Sequence, residues 1–136
     1  MVAIFYLVEG KRVEKNFLLS YLMLARKNRI IGKSNFEKIK NEGVLYQGKA
    51  FGLAVLKREE SNLPRFAFVI STKISKKAVE RNRAKRRLGE AVRKNLDKTK
   101  NGFDVLFLAK KEILKSSAAE ITDEITRLFK EADISR

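Results

Sequence analysis

Residues 80–94 read ERNRAKRRLGEAVRK. Placed at about 100° per residue, Ala84, Leu88, Ala91 and Val92 fall in one narrow sector, a stripe made for packing. Asn82, Arg86, Gly89 and Arg93 share a second side, and Arg83, Arg87 and Lys94 a third. Arg81 and Lys85 border the stripe. The pattern predicts a helix over residues 76–95, with Ser75 able to cap it. It docks through small and aliphatic side chains and turns a band of cations outward. Residues 73–94 hold ten basic side chains against Glu80 and Glu90, a balance of +8. A solvated helix face usually mixes its signs, because acid–base pairs four residues apart help it, and like charges there cost a few tenths of a kcal/mol each. So one-sided a face calls for a polyanion. Arginine forks match phosphate. Asn82 adds a neutral donor and acceptor suited to a sugar or phosphate oxygen. Gly89, disfavoured in a helix by about 1 kcal/mol, either admits a close RNA backbone or is a tolerated substitution.

The whole chain carries the same bias. Its 136 residues fit one domain with one core. Thirty-one Lys and Arg against sixteen acids leave +15, while 44% of residues are apolar. Such a charge is self-repelling in a compact state and points to nucleic acid first, an anionic membrane second. No apolar run approaches the length of a membrane span. The chain has no cysteine and no histidine. That removes disulfides, thiolate metal sites and the commonest general base, and it suits the cytoplasm. The acids are scattered. Asp104, Glu112 and Asp123 are the candidates for a protein-borne metallonuclease.

Around the basic helix the elements follow from periodicity and caps. Ser34-Asn35-Phe36-Glu37 has capping-box spacing and Gly43 is a suitable stop, predicting a helix over 34–42. KAFGLAVLK, 49–57, alternates Phe51, Leu53 and Val55 with Gly52, Ala54 and Leu56. RFAFVIS, 65–71, alternates Phe66, Phe68 and Ile70 with Ala67 and Val69. Bulky residues on one side and small ones on the other predict a packed face and an open, concave face, unless the small residues make room for a helix. Asn101-Gly102 turns the chain into a third strand, 103–109. Ser117-Ala118-Ala119-Glu120 is a second capping box, and Ile121, Ile125, Leu128 and Phe129 line one face of a last helix. The expected order is α-β-β-α-β-α, with a hairpin before the basic helix and a crossover through it: an α+β, two-layer sandwich.

Residues 1–22 read as an N-terminal extension or a misassigned start, with Met23 as initiator; the other reading is an element docked on the domain. Residues 2–8 are apolar but lack the basic flank and cleavage site of a signal peptide. Residues 23–136 form the domain.

Arg81-Asn82-Arg83-Ala84-Lys85-Arg86 resembles the RNR motif of the bacterial ribonuclease P protein subunit. Lys27-Asn28-Arg29-Ile30, Phe36-Glu37-Lys38-Ile39 and Gly43 resemble that family's opening segment. Residues 65–73, Phe103-Asp104-Val105 and Ala109-Lys110 resemble its strands, so the likeness runs from about Met23 to the last helix. It implies a left-handed βαβ crossover, an exception to the usual sense. It implies a protein that helps a catalytic RNA remove the 5′ leader of precursor tRNA and that supplies no general base itself. Lys73, Arg81, Asn82, Arg83, Lys85, Arg86 and Arg93 become RNA contacts, in a 1:1 complex. Phe36 becomes the wall of a leader cleft, and Gly52, Ala54, Ala67 and Val69 its floor. Mg2+ is held mainly by the RNA. Lys40 stands where the family often has a second cleft aromatic, and Ala54 where it often has a larger residue, which makes leader contact more electrostatic. The alternative is a ribosomal or general RNA-binding protein without a processing role.

Overall fold

The computed structural model describes residues 5–8, 11–14, 28–30, 32–59 and 62–136. Phe5–Val8 (β1) and Lys11–Glu14 (β2) pair antiparallel, Phe5 opposite Glu14. The rest of the expected extension, and Met23 and Lys27, lie outside the described residues. The domain then runs Lys33–Glu42 (α1), Val44–Gln47 (β3), Phe51–Lys57 (β4), Arg65–Val69 (β5), Ala78–Lys94 (α2), Phe103–Ala109 (β6) and Ala118–Glu131 (α3). Short 3-10 turns occupy Leu96–Lys98 and Lys111–Lys115. The class is α+β and the order α-β-β-β-α-β-α.

Two expectations are corrected. First, there is an additional strand, β3. Its Val44 and Leu45 are both more than half exposed, so no apolar–polar alternation announces it. Pairing with β4 makes it a strand, Gln47 opposite Gly52. The turn between them is tied down from outside: Lys110 Nζ donates to the Gly48 carbonyl at 2.7 Å, and the Ala50 amide donates to the Glu124 carboxylate at 3.1 Å. Second, β4 and β5 do not form a hairpin. The sheet order is β3-β4-β6-β5, with β6 inserted between them, antiparallel to β4 and parallel to β5. The reason lies in the residues of β6. Val105, Leu106 and Phe107 are fully buried, so apolar side chains on both faces suit it to the interior of the sheet.

The alternation read for β4 and β5 sorts the two faces. Phe51, Leu53, Val55, Phe66 and Phe107 meet Ala84, Leu88 and Val92 of α2 and Ile121, Ile125, Leu128 and Phe129 of α3. Phe107 is the hub, with ring centroids 5.3 Å from Phe51 and 5.2 Å from Phe68. The second face carries Ala54, Ala67 and Leu106 beneath Ile39 of α1 and Ile30. The small residues therefore do make room for a helix, and α1 gives this face partial cover.

Caps differ in kind. Ser117 and Glu120 form the expected box, each backbone N–H donating 3.1 Å to the other's side chain. The Ser34 box does not form. Gly32, with φ 97°, lets α1 start at Lys33, which puts Ser34 inside the first turn. Gly43 does end α1, its N–H donating 2.8 Å to the Ile39 carbonyl. Residues 28–30 line the outer edge of β5: the Ile30 amide donates to Phe66 O at 2.9 Å, and Asn28 Nδ2 to Pro64 O at 2.9 Å.

Candidate nucleic-acid interface

Helix α2 is fixed by Ala84, Leu88, Ala91 and Val92, all buried, as its wheel predicts. It starts at Ala78, two residues later than expected, because Ser75 acts ahead of the helix instead of as its cap. Ser75 Oγ accepts from the Lys77 amide at 3.1 Å and donates to Glu80 Oε2 at 2.9 Å. Arg81 Nη1 then donates to the Ser75 carbonyl at 2.8 Å. Together these bonds fold the segment that holds Lys73 against the first turn of α2, with Lys73 exposed.

Asn82, Arg83, Lys85 and Arg86 are exposed. Within α2 and its cap, the ion pairs are Lys77–Glu80 at 3.9 Å and Lys94–Glu90 at 3.6 Å, so the two acids of the segment engage its ends. Arg83, Lys85 and Arg86 pair with no carboxylate among the described residues. Arg81 and Arg93 are half-buried. The cations of the middle of α2 are thus held on a rigid rod without internal neutralisation, which is the condition for taking up phosphate.

Beside this rod, α1, β5 and α2 enclose a cleft of about 130 Å3, lined by Arg29, Phe36, Ala67, Phe68, Lys85 and Gly89 among others. It brings Phe36 and Ala67, read as leader contacts, to Lys85 and Gly89 of the basic helix. Of the other four residues read with them, Ala54 and half-buried Val69 join Phe36 and Ala67 in the cluster on this sheet face, Gly52 is buried in β4, and Lys40 is exposed on α1. Gly89 is buried at the cleft, where an added Cβ would stand 3.9 Å from the Phe68 ring, an ordinary contact. Sequence reading did not place Arg29 and Phe68 here, since Arg29 reaches the site only by pairing with Phe66.

Among the described residues no group of three or more acids could hold a metal ion. Asp104 is committed elsewhere: Arg65 grips both its oxygens at 2.8 and 2.7 Å, and Arg58 Nη1 adds a bond at 3.1 Å. The bond to Asp104 raises the Arg65 pKa above its ordinary value, against an opposing effect of burial. No helix among the described residues is long and apolar enough to cross a membrane.

The family model described as Ribonuclease P matches residues 24–133. The chain belongs to the ribonuclease P protein family. It is 30% identical over 112 residues to the ribonuclease P protein component of Pseudanabaena sp., covering 82% of this chain and 97% of that protein. It is 34% identical over 103 residues to that of Clostridioides difficile, covering 75% and 89%. The RNase P protein of Staphylococcus aureus shares the fold, with a TM-score of 0.72 at 20% identity over 80% of this chain and 98% of that one. Membership makes the chain the protein component of the ribonuclease P ribonucleoprotein endoribonuclease, which acts in 5′ maturation of tRNA with the ribonuclease P RNA as its partner.

Proposed function

We propose that the protein assembles 1:1 with the ribonuclease P RNA through Lys73, Arg81, Asn82, Arg83, Lys85, Arg86 and Arg93, and guides the 5′ leader of precursor tRNA along Phe36, Lys40, Gly52, Ala54, Ala67 and Val69. The observation that carries this reading is the middle of α2, where Arg83, Lys85 and Arg86 stand exposed and without a carboxylate partner among the described residues, on a helix docked by Leu88 and Val92. Neutralising phosphates there lets two polyanions approach each other. In this reading Mg2+ is held mainly by the RNA.

In this reading residues 23–136 are the RNA-binding domain, residues 1–22 an extension, and the site of action the cytoplasm. The β5–α2–β6 crossover takes the left-handed sense that the resemblance implies.

The test is reconstitution at low magnesium with protein, ribonuclease P RNA and precursor tRNA, each omitted in turn. Leader removal is expected to need the RNA and to be stimulated by the protein. RNA affinity should fall with salt by a log–log slope of roughly −0.7 to −0.9 per phosphate contact. Cleavage by the protein alone would instead indicate a metallonuclease. RNA binding without stimulation would indicate a general RNA-binding protein.

A further inference from the structure

Helix α2 is a ridge between two grooves, and of the residues in the proposed function only Arg83 lines the second of them. The second lies on the opposite flank, between α2 and the Lys111–Lys115 turn. It is a groove of about 170 Å3 lined by Glu80, Arg83, Ala84, Arg87, Ile113 and Leu114. On the helix, Arg83 and Arg87 are one turn apart and lie some 100° or more around the axis from Asn82 and Gly89. A single RNA strand lying against Asn82 and Gly89 therefore does not reach both of these arginines.

The groove is built, not merely bordered by loose side chains. Arg87 Nη1 donates to the Ser116 carbonyl at 3.0 Å, tying α2 to the end of the turn. The turn is closed by Ile113 N to Lys110 O at 3.0 Å, Ser116 N to Ile113 O at 3.3 Å and Ser116 Oγ to Glu112 O at 2.9 Å. Ile113 is fully buried, which roots it in the core. In a 3-10 turn residues three apart share a face, so Lys111 stands on the side of Leu114, which lines the groove. Glu80 is the one acid in the lining, and its carboxylate already takes the Ser75 hydroxyl at 2.9 Å and faces Lys77 at 3.9 Å. Arg83, Arg87 and Lys111 form no ion pair among the described residues.

We infer that this groove holds a second stretch of RNA backbone, with Arg83, Arg87 and Lys111 on its phosphates, so that α2 stands between two strands. The inference rests on the RNA-binding reading and adds Arg87, Lys111 and a separate surface to it. The phosphodiester chemistry is common to the ribonuclease P RNA and to precursor tRNA.

The test uses the full chain and the variant Arg87→Gln/Lys111→Gln, with Arg86→Gln as a probe of the other flank. Affinity is measured as a function of salt, first for the ribonuclease P RNA and then for precursor tRNA added to the assembled complex. Losing two phosphate contacts lowers the slope by about 1.4 to 1.8. Tripling the salt then costs the variant roughly five- to sevenfold less affinity than it costs the wild type. A reduced slope in the first titration assigns the backbone to the ribonuclease P RNA, and one confined to the second assigns it to the substrate. Unchanged slopes in both overturn the inference. If Arg86→Gln still weakens binding in that case, the RNA-binding reading stands without the second groove; if it does not, both fall. Should the double variant melt early through loss of the Arg87–Ser116 bond, Lys111→Gln alone decides, with an expected change of about 0.7 to 0.9.

Discussion

Replacing Asp104 with alanine tests whether this acid is a structural anchor or a catalytic one. Its side chain is 3% exposed, and three hydrogen bonds from two guanidinium groups converge on it. Breaking a buried ion pair from one side costs about 3–5 kcal/mol, because the partner is left charged and unpaired. Here Arg58 and Arg65 keep 26% and 24% of their side-chain surface exposed, so water replaces part of what they lose. The expected loss is therefore about 2–4 kcal/mol. For a chain of this size that lowers the melting temperature by roughly 10 °C. Urea unfolding followed by circular dichroism should show a lower midpoint with an unchanged slope. Arg65→Ala made on top of Asp104→Ala should cost less than it does in the wild type. A loss below about 1 kcal/mol would refute the anchoring argument. The milder Asp104→Asn keeps one acceptor for Arg65. Below its melting temperature it should still stimulate leader removal, whereas a carboxylate that held a catalytic metal would not tolerate the change.

Three further outcomes follow from the same geometry. Arg86→Ala should weaken assembly with the ribonuclease P RNA and reduce stimulation of cleavage at low magnesium; rescue equal to wild type would remove α2 from the interface. The Glu120 pKa is held below its ordinary 4.5, first by the Ser117 amide, then by the Ser117 hydroxyl. A carboxylate with a lowered pKa adds stability above its ordinary value and loses it as pH falls through the lower, folded value. The stability gap between wild type and Glu120→Gln should therefore be constant near neutrality and shrink below pH 4.5, as a pH series of urea midpoints can check. Gly43→Ala should cost about 1–3 kcal/mol. The backbone there has φ −72°, open to alanine, but the new Cβ would collide with the Ile39 carbonyl.

The helices were largely legible because their signals are local. The stripe of Ala84, Leu88, Ala91 and Val92 is a matter of spacing along one segment, and all four are buried. The Ser117 box needs only four residues, and it forms. The Ser34 box has the same spacing and fails, because a glycine two residues upstream accepts a positive φ and starts the helix early. A capping motif states which bonds are available; the residue before it decides where the helix begins.

Strand neighbours were not legible in the same way. Alternation in β4 and β5 predicts which side chains share a face, and that sorting holds across both cores. It says nothing about which strand lies alongside. The signal for β6 was its run of apolar residues without alternation, FDVLFLA, which marks a strand covered on both sides. Placing β6 between β4 and β5 makes the connection through α2 a crossover between parallel neighbours, and that carries the helix across the sheet instead of along its edge.

The flanking grooves follow from that placement. Phe68 reaches one cleft because β5 is an edge strand whose outer side is taken by Arg29 and Ile30. Ile113 and Leu114 reach the other because β6 ends in a tight turn that Arg87 ties to α2. Neither groove has a signature in the seventeen residues of the basic helix, which encode a cationic ridge and leave its walls to distant segments. The helix sequence thus predicts that RNA is bound; the sheet order determines how many strands can lie against it.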